Sequence, residues 1–257
     1  MALKGIDVSV FQGQPNWQKV KSSGIDFAFI KASQGHSEVS NAYLFKDGSF
    51  AYNINSAPKA GISCGVYHYF TAKNEKEVME EAKFFVDTIK PYKKNITLYA
   101  AIDVESKHLD GIGKDELTKF VLQFCDYVRK NGFTPIVYVN PNWLKTRLNG
   151  IGNELLWLAL WRSKTNVPTG YKNMKVWQWG GSGVNGIKGS VDSNFGYFDI
   201  ESKNENTKVG SYFQKANSTF SYRKKIAQAN GIKNYIGTAA QNTELLNKLK
   251  QGKLIKP

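Results

Sequence analysis

Ile96-Thr97-Leu98-Tyr99-Ala100-Ala101-Ile102-Asp103-Val104-Glu105-Ser106 is the stretch on which the fold turns. Its apolar run, residues 96–104, is short and continuous, which predicts a buried strand. Alternate side chains of a strand share a face. Asp103 and Glu105 therefore aim at one spot, where the strand runs out. Two carboxyl groups held that close resist ionising together, so the pKa of one rises. A protonated acid beside an ionised carboxylate is the apparatus of glycosidic bond cleavage.

Outward from this strand, the first 200 residues alternate strand-like and helix-like segments. Residues 5–10, 27–31, 62–70, 135–139, 156–160 and 175–179 are further predicted strands. Residues 16–22, 46–60, 74–89 and 114–130 are predicted helices. Asn74 is placed to cap the third, and Gly24, Gly61 and Asn131-Gly132 close the others. The alternation argues for a parallel sheet covered by helices. Seven or eight strands in this length predict an irregular (β/α) TIM-like barrel, an α/β fold. Such barrels carry chemistry at the C-terminal ends of their strands. Asp7, Lys31, His68, Asp103, Glu105, Asn140, Trp161 and Gln178 all fall at or near such ends.

Composition bounds the reading. The 257 residues include 41% hydrophobic and 13% aromatic side chains, enough for a barrel with a real core and a small appendage. No apolar run approaches the 18 or so residues of a membrane span. Residues 1–7 lack the basic and apolar regions of a secretory signal, so cytoplasmic synthesis is expected. Cys64 and Cys125 lie in apolar segments and read as buried free thiols, with a disulfide left open. Zinc spacings and H-x-x-x-H pairs are absent, so neither metal nor cofactor is expected. Nothing calls for an oligomer, and a monomer is expected.

The net charge is +14. Residues 201–257 hold 11 basic and 3 acidic side chains, so +8 of that charge sits in the last quarter of the chain. Composition changes there too. Residues 201–218 read as a polar linker. Residues 219–257 read as a small, mainly helical basic module, with helices at 222–229 and 243–249. Tyr222, Ile226, Ile232, Tyr235, Leu245, Leu246, Leu249 and Ile255 are its candidate core. A basic tail of this density attracts a polyanion.

Several strings, taken in order, resemble the glycoside hydrolase family 25 lysozymes. They are Lys4-Gly5-Ile6-Asp7-Val8-Ser9 with Phe11-Gln12-Gly13, Phe29-Ile30-Lys31-Ala32-Ser33, Gly65-Val66-Tyr67-His68-Tyr69-Phe70, Ile102-Asp103-Val104-Glu105, Tyr138-Val139-Asn140, Leu156-Trp157-Leu158-Ala159, Trp177-Gln178-Trp179 and Gly189-Ser190-Val191-Asp192-Ser193-Asn194. The resemblance covers roughly residues 3–200. It implies an N-acetylmuramidase of the phage endolysin type on residues 1–200. The substrate would be the β-1,4 bond between N-acetylmuramic acid and N-acetylglucosamine in peptidoglycan. It makes Glu105 the general acid and Asp103 its carboxylate partner, which holds the pKa of Glu105 up. Asp7 and Asp192 complete the acidic cluster. Tyr67, Tyr138, Gln178, Trp179, Lys31 and Trp161 would bind sugar. Gln34 departs from the pattern, which more often has an acid there. His68 reads as a satisfied barrel histidine, and Trp157 and Trp177 as core.

Of the possible mechanisms, assistance by the substrate's own acetamido oxygen suits the crowded acidic pair best. The expected place of action is the bacterial wall, with residues 219–257 on teichoic acid or another anionic wall polymer. A chitinase-like hydrolase is the alternative enzyme, but its D-x-x-D-x-D-x-E string is not met by Tyr99-Ala100-Ala101-Ile102 ahead of Asp103. A non-catalytic wall binder is a second alternative, opposed by the full acidic set. Nucleic acid is not an expected partner, because the acidic cluster repels phosphate and no groove-reading motif is present.

Overall fold

The computed structural model describes residues 2–37, 39–200 and 220–238, with residues 241, 244, 245, 248, 253 and 255 beyond them. It divides into two compact units, Met1–Phe198 and Asp199–Pro257.

The first unit is a closed barrel. Its strands are β1 (Leu3–Val8), β2 (Phe27–His36), β3 (Tyr43–Lys46), β4 (Ser63–Tyr69), β5 (Ile96–Asp103), β6 (Pro135–Val139), β7 (Leu155–Ala159), β8 (Met174–Gly183) and β9 (Ser190–Gly196). Eight of them close the ring in the order β1-β2-β4-β5-β6-β7-β8-β9, and β9 returns to β1. Neighbours are parallel except at β9, which runs antiparallel to both β8 and β1. Short β3 pairs antiparallel with the outer end of β2. This is the irregular barrel expected, with one strand turned around.

Helices α1 (Trp17–Ser22), α2 (Phe50–Ser56), α3 (Glu75–Ile89), α4 (Lys114–Lys130) and α5 (Pro141–Thr146) follow strands. Their starts are written locally. The Asn74 carboxamide accepts from Glu77 N, and the Glu77 carboxylate accepts from Lys73 N. The Asn74 side chain thus satisfies a helix-end donor that would otherwise be orphaned, and Glu77 ties down the residue just before the cap. Asn16 caps α1 and Asn140 caps α5 in the same way.

Three expectations need correction. Residues 46–60 are not one helix. Asp47 accepts from Val10 N and Ser49 N, which makes a turn between β3 and α2. The strand expected at 175–179 runs on to Gly183 as one arm of a hairpin. Its other arm, β9, carries too many polar residues to read as a strand and is held by its partners on both sides.

Two apolar layers result. Ile6, Ile30, Val66, Ile102, Val137 and Leu158 face outward and share one buried cluster with helix residues such as Phe85 and Phe124. Facing inward, Phe29 stacks on Trp157 with ring centroids 4.2 Å apart. Glycine makes room for these rings. A Cβ at Gly65 would lie 2.5 Å from Phe29 Cε1, and one at Gly5 2.2 Å from Phe27 Cζ. Burying a ring of this size contributes roughly 4 kcal/mol before entropy is counted. These rings fill the middle of the barrel below the mouth.

Helix α3 is also tied to the barrel by polar contacts. Buried Glu81 accepts from Thr71 N (3.0 Å) and Thr71 Oγ1 (2.6 Å). Its other contact is His68 Nε2 at 2.9 Å, and His68 Nδ1 meets Ser33 Oγ at 2.9 Å. His68 is thus a satisfied structural histidine. Cys64 and Cys125 are both buried, and no disulfide joins them.

In the second unit, α6 (Phe220–Ala229) leads to a tight turn. Ile226, Ile232, Tyr235 and Leu245 are buried as expected, but Ile255 is 58% exposed. Its main chain is what is held: Asn230 bonds both Ile255 N and Ile255 O. The side chain of Tyr222, Leu246, Leu249, most of 243–249 and the linker at 201–218 lie outside the described residues. Among the described residues no helix is long and apolar enough to cross a membrane.

Candidate active site

A cavity of about 250 Å³ opens at the mouth of the barrel, where β1, β4, β5 and β6 end. Asp7, Asp103, Glu105 and Asp192 line it, together with Lys31, Tyr67, Tyr138 and Gln178. Four acids from three distant parts of the chain therefore converge, and the register explains how. Pairing of β5 continues past its end, through Phe70 N to Asp103 O and Val104 N to Tyr138 O. Asp103 and Glu105 thus share the inner face, and Val104 is buried outside. The reversed strand β9 sets Asp192 directly opposite Asp7.

Gln178 is the hub. Its Oε1 accepts from Tyr138 OH at 3.1 Å and from Trp161 Nε1 at 3.0 Å. An indole N–H only donates, so this fixes which end of the amide carries oxygen. Its Nε2 then donates to Asp7 Oδ2 at 3.1 Å and more weakly to Asp192 Oδ2 at 3.4 Å. Asn194 adds a second donor to Asp7 Oδ2, at 2.8 Å, while its own oxygen accepts from Trp157 Nε1.

Electrostatics separate the acids. Burial, then the charge of Asp192, raises Asp7 to about 7, although the Asn194 and Gln178 hydrogen bonds pull the other way. Burial, then Glu105, pushes Asp103 well above the carboxylate range against the opposing charge of Lys31. Burial raises Asp192 as well. Asp103 is 6% exposed, and its Oδ1 is buried with no hydrogen-bond partner among the described residues. Glu105 lies exposed on the cavity wall. The strand pair thus offers an accessible carboxyl beside a secluded one of raised pKa. Tyr67 and Tyr138 are held in their neutral forms by burial first, then by the acids around them.

Two of the residues expected to bind sugar are not among those that line this cavity. Trp179 is not part of the cavity wall. Gln178 points inward, so alternation turns Trp179 outward, where it stacks on Phe195 with centroids 6.0 Å apart. Trp161 stands at the rim, 63% exposed, tethered through Gln178. Asn194, Tyr69, Ser9, Phe11 and Gln12 belong to the motif strings but carried no expected site role, and they stand at the site as well. Asn194 was within reach of sequence reasoning, because it shares a strand face with Asp192. Trp157 was read as core and is both core and cavity wall.

A family model, Glycosyl hydrolases family 25, matches residues 6–190. Lysozyme M1 of Streptomyces globisporus is 31% identical over 204 residues, which cover 75% of this chain and 67% of that protein. The crystal structure of the bacterial lysozyme from Streptomyces coelicolor superposes with a TM-score of 0.61 at 25% identity, covering 77% of this chain and 94% of the other. The L-alanyl-D-glutamate peptidase of Listeria phage A118 is 46% identical over 77 residues, 29% of this chain and 24% of that protein. The chain spans about half to two thirds of the length of the first two curated relatives it matches.

Proposed function

The chain belongs to glycosyl hydrolases family 25 and its barrel is a peptidoglycan-cleaving glycoside hydrolase of the lysozyme type; from that premise we propose that Glu105 and Asp103 together break the β-1,4 bond from N-acetylmuramic acid to N-acetylglucosamine. Glu105 donates its proton to the leaving glycosidic oxygen as the C1–O bond breaks. The oxygen of the substrate's 2-acetamido group closes on C1. Asp103 draws the acetamido N–H in its ionised form, which a protonated Glu105 favours by removing the charge that presses on it. Glu105, now ionised, takes a proton from the water that reopens the ring, and the configuration is retained. Asp7, Asp192 and Gln178 hold the sugar ring from the far side.

The observation that carries this reading is the orphaned Asp103 Oδ1. A buried acceptor without a donor costs roughly 1–3 kcal/mol. An amide N–H presented by the substrate relieves that cost, and a water nucleophile does so less well in so closed a place.

Digestion of Gram-positive peptidoglycan, followed by borohydride reduction and mass spectrometry, tests it. Reduced muramic acid ends are expected from the natural chain. Glu105→Gln should lower their yield by about 10²–10⁴-fold. Reduced glucosamine ends would reassign the bond. Inverted product by NMR would remove the acetamido route.

The same proposal extends to the whole chain as a phage lysis enzyme. Two features support it: the likeness to a phage peptidase over 77 residues, and the +8 charge of residues 201–257. The basic unit would hold the barrel on an anionic wall polymer, teichoic acid being the leading candidate, and so raise its effective concentration there.

A further inference from the structure

A second cavity, of about 540 Å³, adjoins the first and shares Phe11, Lys31 and Tyr69 with it. Its size falls within the range of ligand clefts. Its outer wall is unusually apolar for a surface: Phe11 is 87% exposed and Val39 95%. Apolar groups clustered in the open beside an active site mark a binding surface.

Its charge is as informative as its shape. Among the described residues that line it, Lys31 and Lys46 stand with one acid, Asp47. Both oxygens of Asp47 already accept backbone N–H groups, from Val10 and Ser49, and the residue is buried. Gln34 adds a neutral amide to this wall: its Oε1 accepts from Lys31 Nζ at 2.6 Å and its Nε2 donates to His36 O at 3.0 Å. Lys46 is exposed and forms no ion pair among the described residues. The cleft therefore offers methyl-sized apolar contacts and a cation, next to the place where the glycan is cut.

We propose that this cleft receives the stem peptide carried by the muramic acid residue, a short anionic peptide of alanine methyls and free carboxylates. Lys46 pairs with a stem carboxylate, and Val39 and Phe45 pack on the methyl groups. The inference rests on the peptidoglycan reading above and adds to it a preference for strands that still carry stems.

The test uses the full chain and soluble glycan strands of two kinds, with stems intact and with stems removed by an amidase. Rates are measured with the natural protein, Lys46→Glu and Val39→Asp. Affinities are measured in the Glu105→Gln background, where turnover is suppressed. Lys46→Glu should lower kcat/KM on stem-bearing strands by about 5–10-fold, through KM, and leave stripped strands unchanged. Affinity should fall by the same factor for stem-bearing strands only. Equal losses on both strands would make the cleft a glycan subsite, and no loss on either would make it a bystander; both overturn the proposal. Stem-selective binding without cleavage of either strand would sink the hydrolase roles and leave the stem site standing.

Discussion

At Asp103 chemistry and stability pull in opposite directions. Its carboxyl is secluded, unpartnered at Oδ1 and pressed by Glu105, none of which helps folding. Asp103→Asn keeps the shape and removes the base. It should lower kcat by about 10²–10³-fold with little change in KM, measured on soluble muropeptide oligomers. Asp7 makes the cost visible as a pH effect. Its pKa rises from 3.8 unfolded to about 7 folded, so the folded chain holds the extra proton across that window. Stability therefore falls as pH climbs from about 4 to 7, and the loss is complete above 7. Asp7→Asn should be inactive yet more stable than the natural chain at pH 8, by on the order of 1–3 kcal/mol, and no more stable at pH 4. Urea unfolding at the two pH values checks this. The D-x-E pair was legible because two residues on one strand need only the pleat to align them. The hub role of Gln178 was not, because Tyr138 and Trp161 lie 40 and 17 residues away from it.

The elements show where local sequence decides and where it yields. Helix α4 and strand β6 matched their expected bounds, since each has an unbroken pattern and a clear stop. β9 escaped notice: Asp192, Ser193 and Asn194 have low strand propensity, and pairing on both sides overrides it. The helix drawn through 46–60 failed because Asp47 spends its carboxylate on a turn. Packing between elements gives two checks. Gly65→Ala drives a methyl into the Phe29 ring and should cost about 1–3 kcal/mol by chemical denaturation. Glu81→Gln leaves the His68 and Thr71 contacts mismatched between α3 and the barrel, with an expected loss of about 1–3 kcal/mol in the urea midpoint analysis.

For the whole molecule, alternation of segments and the ordered motifs were enough to expect a barrel of this kind, because short connections leave few other topologies. Its direction of closure was not legible, since nothing in residues 190–196 announces a reversed strand. The basic unit makes its own prediction. Lys224, Lys225 and Lys233 are exposed there. Reversing all three to Glu should leave turnover of soluble strands unchanged and reduce retention on intact walls at least several-fold at low salt. The difference should shrink at 0.5 M salt, where charge is screened. Pelleting with walls measures it.

The closure of the ring by β9 also has a consequence in time. Asp7 leaves the ribosome 185 residues ahead of Asp192, its partner across the register. Contacts of such separation form late and slowly. The catalytic mouth therefore does not exist on the nascent chain and is completed only by the last turn of the hairpin. A wall-cleaving barrel built this way gathers its four acids only when its first and last strands meet.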